Sequence, residues 1–137
     1  MVDVGNKDVV RRSATASGCL VAKPGSLDRL MRGDLPKGEA LAVARVAGIQ
    51  AAKRTAESIP LCHTLPLDSV NIEFARAAAD RLQVVTTVQT TARTGVEMEA
   101  LLATSTAILT VWDMLKAIDP ELLVESIALR EKKKGTA

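Results

Sequence analysis

Short runs in which apolar and polar residues alternate predict strands in the second half of the chain. In SVNIEFARA, residues 69–77, every second residue of the first half is apolar, which is the period of a half-buried strand. The run RLQVVTTVQT, residues 81–90, follows the pair Ala79-Asp80, and Asp is a residue type that favours turns. The two runs therefore predict a hairpin, and a third alternating run, VESIALREK at 124–132, predicts the last strand.

The first quarter of the chain predicts one strand and one short helix. Residues 1–14 are polar and basic without a clear period, so we expect an extended N-terminal arm. The run SGCLVAK, residues 17–23, predicts a strand that a Pro-Gly pair closes with a turn. A short helix through Met31 follows, with Ser26 or Asp28 as its N-cap.

Two long helices are predicted, and both are apolar nearly all round. The first runs from Gly38 to Ser58 and ends before Pro60. The second runs from about Val96 to Ile118 and ends before an Asp-Pro pair. Because a helix that is apolar on all sides buries more than one side, each must contact more than the sheet beneath it.

The order strand, helix, strand, strand, helix, strand is that of the α+β ferredoxin-like βαββαβ sandwich, with both helices on one face of an antiparallel sheet. A chain of 137 residues is the size of one domain, so we expect a single domain over 1–137. A lone copy would expose the helix faces that the sheet does not cover, and such apolar patches mark association surfaces. We therefore expect an oligomer.

Composition and charge disfavour several classes of protein. One Phe, one Trp and no Tyr leave few rings to stack on bases, and the net charge is only +2, so we expect no nucleic-acid partner. The opening MVDVGNKDVVRRS lacks the apolar core of a signal peptide. The most apolar run, 101–112, is short for a membrane span, so we also expect no membrane partner.

The cysteines and the single histidine predict no metal site. Cys19 and Cys62 form no C-x-x-C pair, and one His cannot complete a zinc cluster. So few cysteines favour a reduced, cytoplasmic chain over a disulfide scaffold. The glycine-rich fingerprints of nucleotide-binding loops are absent from the sequence as well, and we predict no bound cofactor.

Four ionisable residues lie in two short segments that favour chemistry. His63, in the loop IPLCHTLPL, is either a structural hydrogen-bonding residue or a proton donor or phosphate ligand. Cys62 beside it is more often a small buried residue than a nucleophile. Glu97 and Glu99 open the second long helix, where carboxylates stabilise the helix dipole. Their apolar flanks equally suit a buried carboxyl with a raised pKa for acid–base work.

Other candidates are cationic or lie beside a cation. Asp113 and Lys116 are three residues apart on the second long helix and can meet on one face. A surface ion pair is the simple interpretation, but their apolar surroundings favour a semi-buried pair in which the lysine exchanges a proton. Lys37 lies just before the first long helix. The simpler interpretation is a solvated loop lysine, and the alternative is a lysine that contacts an anion, because a helix N-terminus favours anions. The runs 53–54 and 132–134 are interpreted as solvated faces.

Two segments carry a resemblance to a known family. KGEALAVARVAGIQAAKRTAESIPLCH, residues 37–63, and TGVEMEALLATSTAILTVWDMLKAIDP, residues 94–120, closely resemble the cyclic pyranopterin monophosphate synthases, molybdenum cofactor biosynthesis protein C. The opening MVDV and the basic arm after it are similar to that family too. The resemblance therefore covers roughly Met1 to Leu129.

The resemblance implies a lyase and a set of site residues. Its substrate would be a GTP-derived 3′,8-cyclised dihydro nucleotide that still carries its triphosphate, and its products cyclic pyranopterin monophosphate and pyrophosphate. It also implies a homohexamer, a trimer of dimers, with sites at subunit interfaces. By the same resemblance, the catalytic residues are Asp113, Lys116 and Lys37. The implied substrate-binding residues are Leu61, Cys62, His63, Glu97, Met98, Glu99 and Arg12.

The sequence departs from the family pattern in two places. Thr64 stands where many members have Pro, and LREKKKGTA lacks the Gly-Gly, basic tail that members usually carry. We expect Lys132 to Lys134 to replace that tail electrostatically. The fold alone would also suit a non-catalytic small-ligand binding or regulatory module, since fold does not determine function. Such a module would tolerate the loss of Lys37, Asp113 and Lys116.

Overall fold

The computed structural model describes residues 1–136, and it contains four strands and four helices within that range. The strands are β1 (Val10–Val21), β2 (Ser69–Ala78), β3 (Arg81–Ala92) and β4 (Leu123–Lys134). The helices are α1 (Pro24–Arg32), α2 (Ala40–Lys53), α3 (Thr55–Ser58) and α4 (Glu97–Leu115).

The strands form one antiparallel sheet in the order β2-β3-β1-β4. The two long helices, α2 and α4, pack against each other and against the strands on one side of this sheet. This confirms the predicted ferredoxin-like arrangement. The predicted hairpin turn at 79–80 is also confirmed, because β2 ends at Ala78 and β3 begins at Arg81.

The elements differ from the sequence prediction in several places. β1 begins at Val10, so residues 10–14, predicted as part of the arm, pair with β3. The predicted capping of α1 is wrong, since Lys23 is the N-cap residue, no side chain caps it, and Pro24 occupies the first helical position. The predicted continuous helix over 38–58 is also wrong, because it is interrupted at Arg54 between α2 and α3.

Aliphatic side chains fill the core between the sheet and the two long helices. Completely buried residues come from both layers: Leu20, Leu82, Val84, Ile108 and Val111. Small residues let α2 and α4 approach closely. A Cβ atom added to Gly48 on α2 would lie 3.0 Å from the carbonyl oxygen of Ala103 on α4.

Within the described residues, α4 is the one helix that has the length and apolar composition of a membrane span. It contacts β1, β3, β4 and α2, and half of its most apolar window is buried inside the fold. The contacts with the sheet and α2 therefore account for its apolar composition.

Candidate active site

The first group of candidate residues lies at the C-terminal end of α4, and it consists of Lys37, Asp113 and Lys116. One carboxylate oxygen of Asp113 accepts a hydrogen bond from the Lys37 ammonium at 2.7 Å, and the other lies 2.7 Å from the Lys116 ammonium. Hydrogen bonds from Lys116 and then Lys37 lower the pKa of Asp113 to about 2. The carboxylate is therefore ionised at neutral pH, and it holds two lysines in fixed positions.

The sequence predicts the meeting of Asp113 and Lys116 but not their exposure. All three side chains of the group are about half exposed in the single chain, so the expected semi-buried setting is wrong for a lone copy. The physical reason is that Asp113 and Lys116 lie on the outer side of the last turn of α4, whose inner side buries Val111, Met114 and Leu115 in the core.

The loop that carries Lys37 depends on two glycines. Gly33 ends α1 with φ 70° and Gly38 has φ 94°, the left-handed region in which side chains are strained. A Cβ atom at Gly33 would also collide with the carboxylate of Glu39. These two glycines turn the chain so that Lys37 can reach Asp113 on α4.

The second group lines a cleft of about 330 Å³ at the N-terminal end of α4. The cleft is lined by the family-implied residues Leu61, Cys62, His63, Glu97, Met98 and Glu99. Glu99 is only 4% exposed, and burial, with a smaller contribution from the charge of Glu97, raises its pKa. The raised carboxyl pKa that the apolar flanks predict is thus found at Glu99.

Cys62 in this cleft is poorly placed to be a nucleophile. Burial raises its thiol pKa, and the carboxylate of Glu99 raises it further. Since the thiolate is the reactive form, a raised pKa keeps this cysteine as a thiol at neutral pH.

Arg12 lies next to this cleft on β1. Its guanidinium donates hydrogen bonds to the carbonyl oxygens of Ala92 at 3.4 Å and Arg93 at 3.1 Å. It borders a smaller adjoining cleft together with Glu97, whose carboxylate is 3.8 Å from the Lys132 ammonium. Arg12 therefore belongs to the same end of the molecule as His63.

Two contributions to this end of the molecule were not predicted from the sequence. The N-terminal arm returns to the fold, and Val2, Val4 and Lys7 line the His63 cleft. The run 132–134 is exposed, as predicted for a solvated face, and it also lies beside Arg12. Only the pairing of β1 with β4 reveals this, and a single sequence carries no signal for that register.

The single chain does not bring the two groups together. Glu97 and Asp113 mark opposite ends of α4, and sixteen helical steps separate them by about 24 Å. Residues that exchange protons with the same atoms must lie within hydrogen-bond reach of them. One copy therefore presents two half-sites, the Asp113 half-site (Lys37, Asp113, Lys116) and the His63 half-site (Leu61 to His63, Glu97 to Glu99, Arg12).

Among residues 1–136, no cluster of three or more His, Cys, Asp or Glu side chains has the arrangement of a metal site. The described side chains of the two groups can transfer protons, form hydrogen bonds and bind anions through their cations.

Comparison with known proteins covers nearly the whole chain. A family model described as the MoaC family matches residues 1–135. The cyclic pyranopterin monophosphate synthase of Herpetosiphon aurantiacus is 54% identical over 136 residues, which are 98% of this chain and 83% of that protein. The protein of the same name from Chloroflexus aggregans is 52% identical over 136 residues, 98% of this chain and 82% of its own length.

A mycobacterial protein matches the same share of this chain at a slightly lower identity. The cyclic pyranopterin monophosphate synthase 3 of Mycobacterium tuberculosis (strain H37Rv) is 50% identical over 135 residues, 98% of this chain and 76% of its own length. The region matched by the family model includes both half-sites.

Proposed function

The chain belongs to the MoaC family, and from that premise we propose that it is a cyclic pyranopterin monophosphate synthase, a lyase of molybdenum cofactor biosynthesis. The proposed substrate is a GTP-derived 3′,8-cyclised dihydro nucleotide that carries a triphosphate. The proposed products are cyclic pyranopterin monophosphate and pyrophosphate.

The reaction requires proton transfer and the binding of negative charge. A hydroxyl oxygen of the substrate attacks the α-phosphorus and loses its proton. The bond from the α-phosphorus to the oxygen that bridges it to the β-phosphate breaks, and pyrophosphate leaves with both electrons of that bond. The protein must therefore offer groups that move protons and cations that stabilise the leaving pyrophosphate.

The observation that carries the proposal is the Asp113 half-site, in which one carboxylate binds two lysine ammonium groups, each at 2.7 Å. With a pKa of about 2, Asp113 has no proton to donate at neutral pH. We assign it the role of holding Lys37 and Lys116 toward the substrate. In this assignment the lysines exchange the protons of pterin assembly, and Lys37 contacts the phosphates.

The His63 half-site is assigned to binding. A buried carboxyl with a raised pKa, as at Glu99, is suited to hydrogen bonds with the polar edge of a pterin ring. His63 lies in the same cleft and is placed to contact a phosphate or to donate a proton. Arg12, at the border of the adjoining cleft, supplies a fixed positive charge.

We propose that complete sites form between copies of the chain, in a cytoplasmic hexamer made of three dimers. The helix faces that the sheet leaves uncovered carry exposed apolar side chains, with Val46 56% exposed on α2 and Leu109 58% exposed on α4. Val43 and Trp112 add to these faces. Burial of such surface favours association, and it would let the Asp113 half-site of one copy meet the His63 half-site of another.

The test is incubation of the purified chain with the 3′,8-cyclised nucleotide and detection of both pyrophosphate and the pterin product. We predict turnover by the wild type and a loss of about a thousandfold or more in Asp113→Asn, because the two lysines lose the carboxylate that holds them.

The matched control is Asp80→Asn, since Asp80 is a half-exposed aspartate in the β2–β3 turn outside both half-sites. This control variant should retain wild-type turnover. Near-normal turnover by Asp113→Asn would refute its role, and a wild type without product would refute the proposed function.

A further inference from the structure

We propose that Asp119 is a positioning residue of the Asp113 half-site, because it fastens the start of α1 to the end of α4 and thereby sets where Lys37 meets Asp113. Asp119 is the first residue of the Asp-Pro pair that follows α4. The inference rests on the proposed function and adds to it a residue that lies outside both half-sites.

Asp119 contacts the ends of two helices at once. Its backbone N–H donates to the carbonyl oxygen of Leu115, the last residue of α4, at 3.0 Å. One oxygen of its carboxylate accepts a hydrogen bond from the backbone N–H of Lys23 at 2.8 Å, and the other accepts one from the backbone N–H of Glu121 at 2.9 Å. Asp119 is only 1% exposed. We call this contact of Asp119 with Leu115 and Lys23 the α1–α4 joint.

The start of α1 depends on this carboxylate for negative charge. Within its own residues, all of which the structure describes, α1 has neither a side-chain cap at Lys23 nor an acidic residue in its first turn. A carboxylate beside a helix N-terminus is favourable, because it lies at the positive end of the helix dipole. Asp119 therefore supplies from another segment the charge that α1 lacks.

The joint has one preferred geometry because its carboxylate is buried and ionised. Burial raises the pKa of Asp119, but hydrogen bonds from the backbone amides of Lys23 and Glu121 outweigh burial and hold the pKa below its ordinary value of 3.8. A buried charge that loses one of its donors keeps the full cost of its lost hydration. Movement of α1 away from α4 is therefore opposed.

The loop that carries Lys37 is bound to the other end of α1. The backbone N–H groups of Gly33 and Asp34 donate to the carbonyl oxygens of Leu30 and Arg29, at 3.1 and 2.9 Å. The Arg29 guanidinium donates in return to the carbonyl oxygen of Asp34 at 3.0 Å. A shift of α1 therefore moves Lys37 relative to α4, on which its partner carboxylate lies.

Asp119→Asn should displace α1 without unfolding it. The amide keeps one accepting oxygen, but its NH2 group cannot accept the second backbone hydrogen bond. Leu27 and Leu30 remain buried in the core and hold the helix in place. The expected result is a small misplacement of Lys37, and a misplacement of about 1 Å costs up to a hundredfold in rate.

Carbodiimide coupling measures the geometry of the half-site without turnover, since it joins a carboxylate to an amine in direct contact with loss of water. Lys37 and Lys116 are both 2.7 Å from the Asp113 carboxylate, and Lys116 is the internal reference because it lies next to the same helix turn. Mass spectrometry of the coupled peptides gives the ratio of Lys37 to Lys116 products. We expect Asp119→Asn to lower this ratio severalfold.

The matched control is Asp28→Asn. Asp28 also lies on α1, but its carboxylate accepts a hydrogen bond from Arg76 on β2 and takes no part in the joint. This variant should keep the wild-type coupling ratio, and its turnover should stay within about twofold of the wild type, because the Asp28 carboxylate is half exposed.

Steady-state kinetics supply a readout that general structural damage would not reproduce. Asp119→Asn should lower kcat/KM for the cyclised nucleotide by about tenfold to a hundredfold. In a Lys37→Gln background the same change should cause no further loss, because its effect is exerted through Lys37. Independent damage would instead lower kcat/KM by the same factor in both backgrounds.

Lys23→Pro cuts the joint from its other side. Lys23 has φ −60°, which proline adopts, and proline has no N–H to donate to Asp119. This variant should lower the coupling ratio and kcat/KM in the same direction as Asp119→Asn, and it gives the same test where Asp119→Asn yields no folded protein.

Three results would overturn the inference: a wild-type coupling ratio in Asp119→Asn and Lys23→Pro, equal changes in Asp119→Asn and Asp28→Asn, or a further loss of kcat/KM in the Lys37→Gln background. A wild type that forms no product, but whose Lys37 coupling falls in Asp119→Asn, would support the joint and refute the proposed function. A wild type that turns over substrate, with a coupling ratio unaffected by Asp119→Asn, would do the reverse.

Discussion

Glu99 and Asp113 are both carboxylates on α4, and their surroundings give them opposite acidities. Burial raises the pKa of Glu99, whereas hydrogen bonds from Lys116 and Lys37 lower that of Asp113 to about 2. Glu99 loses its proton less readily, which suits hydrogen bonds with a bound ligand, and Asp113 has a permanent charge, which suits a group that holds cations. The two carboxylates therefore differ in role because their surroundings differ.

The raised pKa of Glu99 predicts a specific dependence of stability on pH. Its folded pKa is above the ordinary value of 4.5. Its contribution to stability is therefore fully present below pH 4.5 and is lost as pH rises through the folded pKa. Glu99→Gln carries no ionisable group, so it should gain stability relative to the wild type at pH 8 compared with pH 4. Urea unfolding of both proteins at the two pH values, at one protein concentration, measures this. An equal difference at both pH values would contradict a raised pKa.

At the scale of elements, α4 organises the molecule. Its middle packs against the sheet and against α2, and its two ends carry the two half-sites. The close approach of α2 to α4 depends on Gly48, where an added Cβ would meet a backbone oxygen that cannot rotate away. The packing of these two helices is thus linked to the geometry at both ends of α4.

Gly48→Ala should destabilise the protein by about 1–2 kcal/mol, because overpacking outweighs the helix propensity of about 1 kcal/mol that alanine gains. Gly25→Ala in α1 is the matched control, since an added Cβ there meets nothing within 4 Å. It should equal or exceed the wild type in stability. Thermal unfolding of the three proteins provides the comparison, and a Gly48→Ala variant as stable as Gly25→Ala would show that α2 and α4 can separate freely.

Elements that follow from the periodicity of apolar and polar residues were predictable from the sequence, whereas a break within a helix was not. The hairpin of β2 and β3 follows from alternation around Asp80, and the apolar length of α4 follows from its composition. The interruption after α2 does not: the hydroxyl of Thr55 donates to the carbonyl oxygens of Ala51 at 3.2 Å and Ala52 at 2.9 Å, but the same kind of bond from Thr104 to Ala100 leaves α4 unbroken. Such local bonds compete with the helix ladder but do not always interrupt it.

The half-sites were predictable to a similar degree. The spacing of Asp113 and Lys116 indicates that they meet, since both lie on one helix. Their contact with Lys37 and the position of Lys134 opposite Arg12 depend on tertiary pairing, which no local pattern in the sequence specifies. The family resemblance identified Lys37, Asp113 and Lys116 as site residues but did not give their geometry.

At the scale of the whole molecule, the exposed helix faces predict association. Val46→Glu places a charge on an apolar face of α2 and should convert the assembly to smaller species at micromolar concentration. Met31→Glu alters an exposed apolar residue on α1, outside those faces, and should leave the assembly intact. Analytical ultracentrifugation distinguishes them. A monomeric wild type would contradict the proposed association.

The proposed division of the site between copies also has a kinetic consequence. If each complete site joins the Asp113 half-site of one chain to the His63 half-site of another, Asp113→Asn and His63→Ala damage different halves of it. Each variant alone has no intact site. An oligomer containing both variants would have some sites made of two unaltered halves.

The most direct measurement is therefore turnover of the cyclised nucleotide by mixed oligomers of Asp113→Asn and His63→Ala, unfolded together in equal amounts and reassembled. Random assembly pairs two unaltered halves in about one site in four, so activity should return to roughly a quarter of the wild-type value. Mixed oligomers as inactive as either variant alone would contradict a site shared between copies of the chain.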